Sequence, residues 1–193
     1  MDSVSGRLWF TPRANWDLQV STGHLKDPEA LEPGNIQRTT ASAGWMHQRD
    51  EGFDAISIGY GLNDTGHGAR QAGFVEGTRR SGLTSIFGRL EIVQVETALL
   101  LDPQPDSGAD SRRDAVGALT IGGVRDLHPW RGLETGVGAD VTFYSVPDML
   151  KATHGSRPVS FQIFVRVRPP AGPMGRMWNM RMSAPMRHAM PHE

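Results

Sequence analysis

From Leu133 to Tyr144 every second residue changes character. Leu133, Thr135, Val137, Ala139, Val141 and Phe143 form one set, and Glu134, Gly136, Gly138, Asp140, Thr142 and Tyr144 form the other. A period of two puts the sets on opposite faces of an extended chain, so Gly132–Tyr144 predicts a β-strand. At roughly 40 Å this strand is much longer than is usual in a soluble sheet and long enough to cross a tilted bilayer. One face is apolar throughout and the other is small and acidic, as expected of a barrel strand with lipid outside and water inside.

The same alternation recurs along the chain and predicts strands at Ser5–Thr11, Trp16–Thr22, Gln37–Met46, Phe53–Leu62, Gln71–Arg79, Thr84–Glu96, Ala115–Leu127 and Val159–Arg168. A loss of phase near Val93 suggests a bulge there. Between strands the connections run short, long, short, intermediate, short, long, short, long, the intermediate one being a loop at Asn63–Arg70. Alternation of turns and loops is the pattern of the two rims of a bacterial outer-membrane barrel. Trp9, Trp16, Trp45 and Trp130 fall near the short turns, and Tyr60, Phe143, Tyr144 and Phe161 fall at the opposite ends, which predicts two aromatic girdles. The expected fold is all-β: an antiparallel up-and-down transmembrane β-barrel over residues 1–169, followed by a disordered periplasmic tail, 170–193. Nine strands is an odd number, and single-chain barrels of this kind have even numbers. At least one further amino-terminal strand is therefore expected, making this the carboxy-terminal part of a larger barrel.

Composition sharpens this picture. The 193 residues include 23 Gly and 13 Pro, which favour turns over long helices. With no Cys there is neither a disulfide framework nor a thiolate metal site. A net charge of −1 gives no footprint for nucleic acid. No apolar run is long enough for a membrane helix, and MDSVSGRLWF lacks the pattern of a signal peptide. The acidic stretch Leu101–Asp114 is rich in Asp, Pro, Ser and Gly and predicts a solvated loop.

Candidate chemistry is sparse. The polar faces of the strands supply a lumen-facing set of mixed sign: Arg38, Glu76, Arg89, Glu91, Glu134, Asp140, Arg166 and Arg168. Such groups either pair across strands or set selectivity. On the lumen side Gly138→Ser is expected to be far milder than Val137→Arg on the lipid-facing side. Gly59–Arg70, GYGLNDTGHGAR, has neither dinucleotide nor P-loop spacing. Although Ser residues accompany His24 and His67, no G-x-S-x-G motif marks a nucleophile, and no enzyme activity is expected. The tail holds six of the nine Met residues, including Met174. Met177, Met180, Met182, Met186, His188, Met190 and His192 offer soft thioether and imidazole ligands suited to Cu(I). A disordered, weakly basic terminus is the plainer reading of those residues.

DSVSGRLWFTPRANWDLQVSTGHLKDPEAL, RTTASAGWMH, GYGLNDTGHGAR, ALTIGGVRDL, GLETGVGADVTFY and SFQIFVRVRPP together resemble the carboxy-terminal half of uncharacterised, porin-like outer-membrane barrel proteins of Gram-negative bacteria. The resemblance implies a location in the cell outer membrane, with lipid and the barrel-assembly machinery as partners. It further implies a porin-like passive channel or envelope protein, a small solute or copper ion as cargo, and an association with copper and heavy-metal resistance. It assigns no substrate and no oligomeric state. The alternative is a soluble or secreted all-β binding domain.

Overall fold

A computed structural model describes residues 3–26, 34–65, 68–96 and 113–169. They form nine strands and one short helix: β1 (Val4–Arg13), β2 (Trp16–Leu25), β3 (Ile36–Arg49), β4 (Gly52–Thr65), β5 (Gly68–Ser81), β6 (Thr84–Glu96), β7 (Arg113–Asp126), β8 (Glu134–Ser145), α1 (Asp148–His154) and β9 (Val159–Arg168). All nine strands lie in one sheet in chain order, each antiparallel to the next. The two ends of the strands differ, one carrying the β1–β2, β3–β4, β5–β6 and β7–β8 connections (the turn end) and the other the remaining four (the loop end).

Two local expectations are corrected. Asn63–Arg70 is not a loop: β4 and β5 continue pairing to Thr65↔Gly68, so only residues 66 and 67 join them and the expected length alternation fails at this connection. The turn-forming composition of that stretch is overridden by a ladder in which Asn63 faces Arg70 and Asp64 faces Ala69. β6 pairs with β7 without interruption through Val93 to Glu96, and the register shift lies instead on β1, between Phe10 and Arg13. The β8–β9 connection contains α1, whose Leu150 is 2% exposed. Between β7 and β8, Arg131 and Gly132 both have positive φ, 51° and 77°. That is the backbone of a type I′ turn, closed by paired hydrogen bonds between Trp130 and Leu133.

Burial is inverted relative to a water-soluble sheet. The buried hydrophobic residues among those described are Ile36, Ala118, Val124 and Leu150. Twenty-eight large hydrophobic side chains are exposed, and by register all but seven stand on the same face of the sheet. The opposite face is small and polar, and along β8 it is the more covered one: Gly136, Gly138 and Thr142 are buried whereas Val137, Ala139 and Phe143 are exposed. β1 and β9 are not paired with each other, so the described sheet is open. With nine antiparallel strands its two edges run in the same direction.

Candidate functional site

The two faces of this sheet are the surfaces on which any function must be built. The apolar face forms a belt. One row of register partners crosses it through Trp16, Trp45, Ile56, Gly77, Gly88, Ile121, Val141 and Phe161. Relative to that row the belt drifts. On β4 it begins at Ile56, because Asp54 follows on the turn side, and it extends six residues towards the loop end, to Leu62. On β9 it extends only two residues that way, to Val159, but six towards the turn end, to Val167. Over five strand steps the two margins therefore shift by four and six residues in the same sense. With about 3.3 Å per residue and 4.8 Å between strands, a belt with this drift is level when the strands tilt by about 30–40°.

The charged side chains that register assigns to this face stand at or beyond the margins of the belt: Arg13 opposite Trp16 and Arg125 opposite Val137 on the turn side, with Arg49, Asp54 and Arg79 further out, and Asp64 and Arg113 at the loop end. The turn-end margin is marked by Trp16 and Trp45, opposite each other in the register, with the Trp45 ring stacked on His47 at 5.9 Å. Just beyond them Asp54 accepts from Arg49 Nε at 2.6 Å and lies 3.6 Å from Arg79 Nε. At the other margin Tyr60, Phe143 and Phe161 stand on the apolar face. Trp9 and Tyr144 depart from the expected girdles: both belong to the polar face, where Trp9 opposes Gln19 and the Tyr144 hydroxyl lies 3.2 Å from Ser160 Oγ.

On the polar face the register brings together most of the set expected from the sequence. Arg89 donates to Glu91 at 2.8 Å and to Glu76 at 3.1 Å, and its guanidinium lies 4.4 Å from the centre of the Phe74 ring. Arg168 donates to its cross-strand partner Glu134 at 2.6 Å, and Arg38 to Asn63 at 2.9 Å. Arg166 pairs with Asp126, which also holds Arg80 at 2.9 Å. The last pair spans two strands, with Gly136 between them in the register. A Cβ at Gly136 would lie 3.2 Å from Asp126 Oδ1, so the glycine leaves the passage the arginine needs. Asp140 lies in the same row as Gly122 and Gln162, away from these ion pairs.

Sequence reading missed Asp126, the most enclosed of these acids, with its side chain 13% exposed. Its place in the alternation of β7, two residues beyond Val124 and four beyond Gly122, was the available signal. It also missed three phenylalanines on the polar face. Phe74, Phe87 and Phe164 each lie directly opposite a glycine, Gly59, Gly122 and Gly138 respectively, and cover it. A Cβ at Gly138 would come within 2.5 Å of the Phe164 ring, and one at Gly122 within 2.5 Å of Phe87. Gly138 is thus not the tolerant site expected, because any side chain there must displace a ring. Covering a strand glycine with a cross-strand aromatic pins the register.

The charged residues that register assigns to the polar face are sign-balanced. Arg7, Arg38, Arg70, Arg80, Arg89, Arg166 and Arg168 stand against Asp17, Glu76, Glu91, Asp114, Asp126, Glu134 and Asp140. Among the described residues no group of three or more His, Asp or Glu could hold a metal ion. Met177, Met180, Met182, Met186, His188, Met190 and His192, on which the copper expectation rests, lie outside the described residues, as do His67 and most of the acidic stretch. Comparison of the chain with protein-family models, with curated proteins and with solved structures gave no match.

Proposed function

We propose that this chain is a sector of a transmembrane β-barrel of the outer membrane, acting as a porin-like passive channel or envelope protein rather than as an enzyme. The observation that carries this reading is the inclined, uncharged belt on the outer face. A soluble sheet buries its apolar face against a second layer, and α1 is the one element of the described residues that is not a strand of this sheet. Lipid is the solvent that such a face accepts. On β9 the belt spans nine residues, Val159 to Val167, about 26 Å along the strand and about 22 Å along the axis after tilting, near the ~25 Å of an outer-membrane barrel's apolar band. The tilt deduced from its drift also falls within or near the ~35–45° of such barrels.

In this reading the polar face lines a wetted interior, and the turn end faces the periplasm. Its balanced, paired charges favour passage of small neutral solutes over strong selection of either ion. The barrel-assembly machinery and outer-membrane lipid are its partners, and copper is a candidate cargo only through the residues of the tail. The test is fractionation of cells expressing the full chain, combined with gel mobility before and after boiling. Recovery in the outer membrane with heat-dependent mobility is expected. Recovery in the soluble fraction, with mobility unchanged by boiling, would overturn the proposal in favour of a soluble all-β binding domain.

A further inference from the structure

At the loop end, the folded connection between β8 and β9 encloses a shallow cavity of about 330 Å³. Its polar lining includes Lys151, Arg157, Ser145 and Ser156, and its apolar lining includes Phe143 and Val159. The apolar pair are the last belt residues of β8 and β9, 47% and 57% exposed, so the cavity opens at the margin of the belt. Leu150 of the connection is buried, and a backbone hydrogen bond from Tyr144 N to Pro158 O at 3.0 Å joins the end of the connection to β8. Lys151 is paired with Asp148 at 2.5 Å. Asp148 is the single carboxylate of the connection, and its side chain is 93% exposed. Arg157 makes no ion pair or hydrogen bond with any described residue.

We infer that this cavity binds the phosphate of an anionic lipid headgroup, with the lipid's acyl chain lying along Phe143, Val159 and the belt. The inference rests on the membrane reading above. Two cations and two hydroxyls supply donors for a phosphate, arginine being suited to gripping it with two parallel hydrogen bonds. The adjoining apolar wall explains why the ligand is an amphiphile rather than a free anion. A basic pocket at the level where headgroups lie is the geometry by which membrane proteins select acidic lipids.

The test uses the full chain in a nonionic detergent, with native mass spectrometry counting bound lipid. Short-chain phosphatidylglycerol, phosphatidylcholine of the same acyl length and inorganic phosphate are titrated separately. The expected result is at least tenfold tighter binding of phosphatidylglycerol than of phosphatidylcholine, lost in the double variant Lys151→Gln/Arg157→Gln and retained in Lys26→Gln, a cation on another loop. Circular dichroism of the double variant should keep the β-sheet signal of the parent. Equal binding of the two lipids, or no effect of the double variant, would overturn the site while leaving the belt intact. Binding of inorganic phosphate as tight as that of the lipid would likewise overturn it, in favour of a free-anion site. A chain that stays in solution without detergent, failing the fractionation test, would instead overturn the membrane reading.

Discussion

Gln162 and Ile163 are neighbours on β9, both exposed, and yet opposite rules govern them. Ile163 stands midway along the apolar run from Val159 to Val167, whereas Gln162 stands on the polar face in the row of Asp140 and Gly122. Along the belt the apolar face is loosely specified in shape and strictly specified in polarity: Val, Ile, Leu and Gly alternate freely, and charges such as Asp54, Arg79 and Arg125 stand at its margins. The polar face is the reverse. It tolerates arginine and glutamate, while its glycines are held to size by aromatic rings and by the reach of ion pairs. A surface that meets a fluid needs only compatibility with that fluid; a surface that meets itself needs fit.

The sharpest way to break this comparison is to put the same charge on both neighbours. Ile163→Arg, in the middle of the belt, should destabilise the folded state by about 2–4 kcal/mol in lipid, while Gln162→Arg, beside Asp140, should change it little. Urea unfolding of the full chain from phospholipid vesicles measures both, and equal midpoints would mean that the faces do not differ in solvent.

Next in size is the steric rule. Gly138→Ala should cost about 1–3 kcal/mol by driving the Phe164 ring aside, and adding Phe164→Leu should recover part of that loss. On the apolar face Gly73→Ala should be close to neutral, because the nearest atom to its new methyl is a backbone oxygen at 3.6 Å. The same unfolding assay decides, and a Gly73→Ala cost as large as that of Gly138→Ala would remove the distinction.

A smaller effect is expected from charge pairing. Arg89→Ala leaves Glu76 and Glu91 without their shared cation. Because all three side chains are more than a third exposed, the loss should be only about 0.5–1 kcal/mol and should shrink as salt is raised. A loss that does not respond to salt would point to the packing of Arg89 on Phe74 instead. The smallest effect should come from deleting Gln104–Arg112. The β6–β7 ladder already closes at Glu96↔Arg113, and circular dichroism and heat-dependent mobility should be unchanged.

Periodicity made the faces legible from sequence. The strands from β2 to β9 keep the phase read from their alternation, since one misassigned residue would have turned a whole apolar set inward; β1, for which no faces were assigned, places Trp9 on the polar face. Pairing partners were less legible. That Phe164 covers Gly138, or that Arg166 reaches Asp126 past Gly136, depends on register and on contacts between strands, which alternation within one strand does not encode. The β4–β5 hairpin was obscured because Asn63, Asp64, Gly66 and Gly68 are turn formers by local preference, and only pairing across the ladder overrides them. Helix α1 has seven residues, too few to establish a helical period between Pro147 and Gly155.

The parallel course of the two edge strands has a consequence for assembly. Copies held upright in one membrane all present edges running the same way, so any seam formed directly between two of them would have to be parallel. In water a copy is free to invert, and the β1 edges of two copies could then join antiparallel, each extending the other's ladder. In the proposed membrane setting the bilayer, by fixing which end points outward, would forbid the pairing of these edges that would be easiest in solution. A fixed up and down thus does for these edges what charged or shortened edge strands do for a soluble protein.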